Sequence, residues 1–238
     1  MALFANQWMY RRGKRSTTEY KSFIADHVEP VFQTWCQRVL DNGWLDPRIA
    51  YGYFPCQSEK NELIVFDPQD HEKEFCRIGF PRQVSDQRRC IADYFLPRST
   101  GRMDVVAFHI VTSGPRASEL AQEFFKANQY SDYLHFYGLS VETAEALAEF
   151  WHRKIRHELG IFGQDSLTID GLLRQNYQGE RFSFGYPACP NLEHQKYIFE
   201  LLKPEEIGIS LSSEFQLDPE QSTSAIIVHH PEACYFSI

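Results

Sequence analysis

The run Val105-Val106-Ala107-Phe108-His109-Ile110-Val111-Thr112 constrains the fold most. It is β-branched and aromatic, and it is apolar on both alternating faces. A strand of that kind has to be covered on both sides, so it belongs at or near the centre of a sheet. His109, inside this run, reads as a hydrogen-bonded core histidine. The shorter runs Ile49 to Pro55, Glu62 to Phe66 and Phe75 to Phe80 are separated by polar turns and read as antiparallel strands. Late in the chain, Ile207 to Phe215, Ser224 to His230 and Cys234 to Ile238 carry further strand patterns, with His229-His230-Pro231-Glu232-Ala233 as the turn between the last two.

Helical segments come in clumps between these runs. Ser16-Thr17-Thr18-Glu19 is a capping box, with Ser16 at the N-cap and Glu19 reaching back from the third helical position. The helix it opens carries Tyr20, Phe23, Ile24 and Val28, is interrupted at Pro30, and resumes through Trp35 and Val39 to a stop at Gly43. Ser140 caps a long helix whose apolar stripe is Ala144, Leu147, Ala148, Trp151, Ile155 and Leu159, ending at Gly160. Glu145, Glu149, His152 and Arg156 share the neighbouring face. Such faces are mostly solvated, with Glu149 and Arg153 spaced as an i,i+4 pair, but Glu145 borders the apolar stripe. A short helix spans Glu193 to Leu202. Strands and helices in clumps, without strict βαβ alternation, predict an α+β fold: a single domain over residues 1–238, with a twisted antiparallel sheet flanked by helices. The aromatic start, Ala2 to Tyr10, lies in a segment (residues 1–15) that reads as a packing or interdomain piece.

A net charge of −8 disfavours nucleic acid as a partner, and no apolar run is long enough to span a bilayer. The six cysteines are scattered, with no Cys-x-x-Cys pair, which predicts free thiols and suits a reducing cytoplasm. The histidines show no metal-ligand spacing, so no metal site is expected.

Residues 174 to 190 read Arg-Gln-Asn-Tyr-Gln-Gly-Glu-Arg-Phe-Ser-Phe-Gly-Tyr-Pro-Ala-Cys-Pro. Two glycines and two prolines exclude a regular helix or a central strand. Tyr177, Phe182, Phe184 and Tyr186 interleave around Arg181. Glycine lets backbone approach a ligand closely, and the guanidinium can fork a carboxylate or phosphate. Composition alone leaves two readings open: a ligand loop, or a surface loop whose aromatics plug the core and whose arginine is solvated.

The block Gln175-Asn176-Tyr177-Gln178-Gly179, then Arg181, then Gly185-Tyr186-Pro187-Ala188-Cys189-Pro190, resembles the signature of the activation domain of cobalamin-dependent methionine synthase. Tyr51-Gly52-Tyr53-Phe54-Pro55, Ile91 to Pro97, Ala144 to Glu149, and His230-Pro231 with Tyr235 resemble further blocks of that domain in the same order, so the likeness covers nearly the whole chain. The resemblance implies an S-adenosylmethionine-binding reactivation domain. It would supply the methyl group that returns oxidised cob(II)alamin to methylcobalamin, within an enzyme that methylates homocysteine. It implies cobalamin carried by a separate domain, flavodoxin or a flavin reductase as electron donor, and no turnover by this chain alone. No catalytic residue is expected here.

The ligand contacts implied by the resemblance are Arg181 on the carboxylate and Glu145 on the ammonium or a ribose hydroxyl. Tyr186 and Tyr235 would meet the sulfonium end or the base, and backbone around Ser183 and Gly185 the adenine. An acidic residue near the end of the first helix, Asp26 with Glu29 as its neighbour, completes the set. The methyl group must face outward, so the site should be a shallow groove. Two other readings are a docking module for a cobalamin-carrying partner with no ligand of its own, and an S-adenosylmethionine sensor.

Overall fold

The computed structural model describes residues 3–84, 87–166, 168, 171–172 and 175–238. Its main sheet has six antiparallel strands in the order β3-β2-β1-β4-β8-β5. The strands are β1 (Arg48–Glu59), β2 (Glu62–Asp67), β3 (Asp70–Gly79), β4 (Asp104–Thr112), β5 (Glu180–Ser183) and β8 (Ser222–Val228). β4 is internal and buried from Val106 onward on both faces, as its two-sided apolarity predicts. β5 lies inside the glycine- and proline-bounded stretch and takes the sheet edge, the place open to a short strand among such residues.

Alternation along β4 sorts the core. Val106 and Phe108 point to one face, where they meet Phe54, Phe182, Ile226 and Ile198 of helix α5 (Gln195–Leu202). Ala107 and Val111 point to the other face, toward the long helix α4 (Tyr130–Glu158). The residues at that contact are small: Ala107 and Ala225 on the sheet, Ala144 and Ala148 on the helix. They let α4 lie close, and Ile155 packs among them.

A second cluster is helical. It joins α1 (Thr17–Phe23), α2 (Glu29–Asn42), α3 (Pro115–Lys126) and the first turns of α4 through Tyr20, Trp35, Val39, Phe124 and Phe136. The capping box forms as read: the Glu19 N–H donates to Ser16 Oγ at 3.2 Å, and the Ser16 N–H to Glu19 at 2.7 Å. Pro30 falls in the first turn of α2, where its missing N–H costs nothing, after one π-helical turn (Ile24–Val28). The start of the chain packs here too: Trp8 is buried, and its indole N–H donates to the His135 carbonyl at 3.0 Å.

Three expectations are corrected. α4 begins at Tyr130, and Ser140 sits inside it, its hydroxyl donating to the Tyr137 carbonyl one turn back. Residues 234–238 form no strand; Phe236 plugs the core, and the Tyr235 N–H bonds to the Glu180 side chain instead of a ladder partner. In the 207–215 region only Ser210–Leu211 (β6) is extended, because a turn at Ser212 to Phe215 folds it onto β7 (Leu217–Asp218) in a separate two-stranded sheet. All six cysteines are free thiols. No helix among the described residues is long and apolar enough to cross a membrane.

Candidate functional site

The free edge of the sheet meets the middle of α4 at an open polar groove. One lobe, of about 200 Å³, is lined by Glu145 and Glu149 of α4, Arg181 and Ser183 of β5, and Tyr177, Tyr186 and Tyr235. Glu180 and Gln175 complete its wall. A second lobe of about 210 Å³ shares Glu145 and Tyr186 and continues past Phe184, Gln195 and Ser224.

Two turns give the groove its shape. Gly185 adopts φ +88°, and its N–H donates to the Cys189 carbonyl at 2.9 Å, so Phe184 turns into the core while Tyr186 stays exposed. Gly179 adopts φ +89°, and a Cβ there would meet the Val228 carbonyl oxygen at 2.6 Å. Both positions need glycine. In β5 alternate residues then divide: Phe182 is buried, while Arg181 and Ser183 face the groove.

The charges are arranged in pairs. Arg181 Nη2 donates to Glu145 Oε2 at 3.0 Å, and the arginine side chain is only 17% exposed against 43% for the glutamate. Glu180 receives the Arg181 N–H on one oxygen and the Tyr235 N–H on the other, both at 2.9 Å, tying the C-terminal segment to the strand. Burial pushes the Glu180 carboxyl above its ordinary range despite those bonds. Tyr235 stacks on Phe182 with ring centroids 6.2 Å apart. The Tyr177 hydroxyl donates to Glu149 at 3.3 Å, and burial, reinforced by Glu149, raises its pKa.

Arg181, Ser183, Tyr186, Tyr235 and Glu145, all expected from the sequence, are thus brought together. Gly185 shapes the turn, and its N–H is already engaged. Asp26 does not line the groove: it is exposed on the π-helical turn between α1 and α2. Glu29, beside it, is exposed at the start of α2. Arg174, the first residue of the aromatic stretch, lies outside the described residues. Glu149, Tyr177 and Glu180 were not picked out from sequence as site residues. Glu149 faces Tyr177 rather than Arg153. The signal for it was its spacing, one turn beyond Glu145 on the same helix face.

Behind the groove the interface of α4 with the sheet holds a polar layer. His109 and His152 are fully buried, and among the described residues no group bonds to any of their four ring nitrogens. His109 is therefore not the hydrogen-bonded core histidine expected. Burial, helped by the charge of Arg181, brings its pKa down to about 3; burial and Arg156 hold His152 well below the ordinary range. Arg156, also fully buried, forks Asp165 (Nε 3.2 Å, Nη2 2.9 Å) and lies 3.8 Å over the Tyr177 ring. His152 and Arg156, expected on a solvated face, are interior.

Fold and groove together define an α+β domain with a charged, solvent-open cleft at the edge of an antiparallel sheet. Residues 12–238 match the family model described as the vitamin B12 dependent methionine synthase activation domain, and the chain belongs to that family. It is 40% identical over 251 residues to methionine synthase of Mycobacterium tuberculosis and 39% identical to that of Mycobacterium leprae. Both alignments cover all of this chain but 21% of the relative, so the chain spans about a fifth of their length. A crystal structure of the MetH reactivation domain bound to AdoHcy superposes with a TM-score of 0.86 at 24% identity, covering 98% of this chain and 74% of that one. That likeness establishes the fold.

Proposed function

We propose that the groove binds S-adenosylmethionine and offers its methyl group to a cob(II)alamin held by another module, the reactivation step of cobalamin-dependent methionine synthase. The observation that carries this reading is the Arg181–Glu145 pair: a cation and an anion 3.0 Å apart on the groove wall. An amino-acid zwitterion matches that pair, its carboxylate on the guanidinium fork and its ammonium on the glutamate. Tyr186 and Tyr235, both exposed beside the pair, offer ring faces to a sulfonium or a base. The lobe around Phe184, Gln195 and Ser224 has room and polar groups for the nucleoside end. Openness to solvent suits a ligand whose reacting methyl must meet an acceptor from outside.

In this reading Arg181, Glu145, Ser183, Tyr186 and Tyr235 contact the ligand, Gly185 sets the loop, and Asp26 contributes nothing to this groove. The cobalamin-carrying domain is the macromolecular partner. Flavodoxin or a flavin reductase supplies the electron, and the work is done in the cytoplasm. Family membership and the fold shared with a domain bound to AdoHcy support the reading. Titration calorimetry with S-adenosylmethionine and with AdoHcy tests it. Saturable one-to-one binding of both is expected, and no heat or binding with either ligand refutes it. Adding a cobalamin-loaded partner and reductant then separates reactivation, seen as the methylcobalamin spectrum, from sensing alone.

A further inference from the structure

The buried histidine pair lies directly behind the groove. Across the sheet, His109 on β4 is opposite Ala225 on β8, which is opposite Ser183 on β5; Arg181 is opposite Ile227, next along. His109, Ala225, Ser183 and Arg181 therefore share the face that α4 covers. Ala225, whose side chain is a single methyl group, is the cross-strand neighbour between His109 and β5. His152 enters from α4, one turn beyond Ala148, which packs on the same face.

Six polar atoms of this layer have no partner among the described residues: both ring nitrogens of His109, both of His152, Nη1 of Arg156 on the α4 side and Nη1 of Arg181 on the groove side. Glu149 is no partner for His152, since its nearest oxygen is 3.9 Å from Nδ1, beyond hydrogen-bond reach. Buried polar atoms seldom go unpaired, so this concentration needs a reason. The chemistry is complementary. Each neutral imidazole has one nitrogen that only accepts, and Arg181 Nη1 only donates. Burial together with the charges of Arg156 and Arg181 keeps both rings neutral. Meanwhile Glu145 draws Nη2 toward the groove side.

We propose that His109 and His152 are positioning residues for Arg181: when a ligand ammonium engages Glu145, the guanidinium turns its inner amino group onto their ring nitrogens and presents its outer edge to the ligand carboxylate. The inference rests on the reading that Arg181 binds that carboxylate. It assigns a binding role to two residues that touch no ligand, and it accounts for two buried imidazoles without partners among the described residues.

The test compares AdoHcy with 5′-methylthioadenosine, which keeps the adenosine and thioether but lacks the amino-acid part. Calorimetry and thermal melting are run on the parent chain, His109→Leu, His109→Gln and His152→Leu. The leucine variants should lose about fivefold in affinity for AdoHcy, the worth of one hydrogen bond, and nothing for methylthioadenosine. Their melting temperatures should hold or rise, because an apolar side chain replaces an unpaired polar one. His109→Gln, which keeps an acceptor, should recover part of the loss. Equal losses for both ligands, or none for AdoHcy, overturn the inference while leaving the groove assignment intact. A parent chain that binds neither ligand overturns the groove assignment, and the inference falls with it. If a leucine variant does not fold, imidazole nitrogen resonances of the parent decide. Neutral rings whose signals move on adding AdoHcy support the inference, and unmoved signals refute it.

Discussion

Replacing Arg181 by alanine isolates the contact on which the proposed function stands. Among the described residues Arg181 is the one cation lining the main lobe, and in the proposed function its fork meets the ligand carboxylate as a charge-assisted pair. Such a contact is worth roughly 1.5–3 kcal/mol, so Arg181→Ala should weaken S-adenosylmethionine binding about ten- to a hundredfold. The cost to folding should be much smaller. The ion pair lost is to a glutamate 43% exposed, where water screens most of the attraction; surface pairs contribute about 0–1 kcal/mol. Glu145, once unpaired, is solvated rather than stranded. A change of that size moves the melting temperature of a chain this long by about 2–4 °C at most. Arg181→Lys should recover only part of the affinity, because an ammonium cannot reproduce the planar fork. Calorimetry on each variant, beside melting without ligand, reads both quantities. A collapse of the melting temperature with affinity per folded molecule intact would make Arg181 structural and refute the reasoning.

Two further outcomes follow from the same residues. His109 and His152 have folded pKa values below those of the unfolded chain, so between pH 6.5 and 5 the unfolded state binds more protons and stability falls as pH falls. Each contributes a slope of up to about 1.4 kcal/mol per pH unit, and His109→Leu should flatten a plot of unfolding free energy against pH by its share; an unchanged slope contradicts the burial described. Gly179→Ala places a Cβ 2.6 Å from the Val228 carbonyl oxygen at φ +89° and should destabilise by roughly 1–3 kcal/mol, whereas Gly163→Ala, with nothing within 4 Å, should cost far less. Equal melting curves for the two would show that the turn before β5 is not constrained as drawn.

The sheet was legible because its centre was. A strand apolar on both faces has one place to go, and β4 took it; the antiparallel partners followed from short runs separated by turns. Ends were less legible. Residues 234–238 look like a strand by alternation, yet β5 is only four residues long and offers little edge to pair with, so Phe236 and Tyr235 dock as side chains instead. Ser140 has an N-cap residue's chemistry, but a capping hydroxyl can equally bond back to a carbonyl one turn earlier inside a helix. In the site, Arg181, Tyr186 and Glu145 came with the motif. Glu180 did not, since a glutamate that alternates with a groove-facing arginine points away from the groove by strand periodicity. It enters the site through backbone N–H groups, which sequence periodicity does not report.

The polar face of α4 has the spacing of a solvated face but is half interior, and the reason bears on how the groove works. Glu145, Glu149, His152 and Arg156 form one stripe at spacings of three and four residues, which on an isolated helix is a solvated stripe. Here α4 crosses the sheet edge, so the stripe begins in the open groove and ends in the sealed interior. Its anionic end is wet, and its cationic end is buried against Asp165 and the Tyr177 ring. In the proposed function a zwitterion entering this groove meets a field that is negative at Glu145 and Glu149 and positive at Arg181, while the charge of Arg156 is taken up by Asp165. Low local dielectric strengthens the buried half of that field and water weakens the exposed half. On that proposal the carboxylate would be drawn inward, the ammonium would stay nearer the α4 acids, and whatever the sulfur carries would be left on the solvent side. Orientation of the ligand would then follow from where one helix crosses one sheet edge.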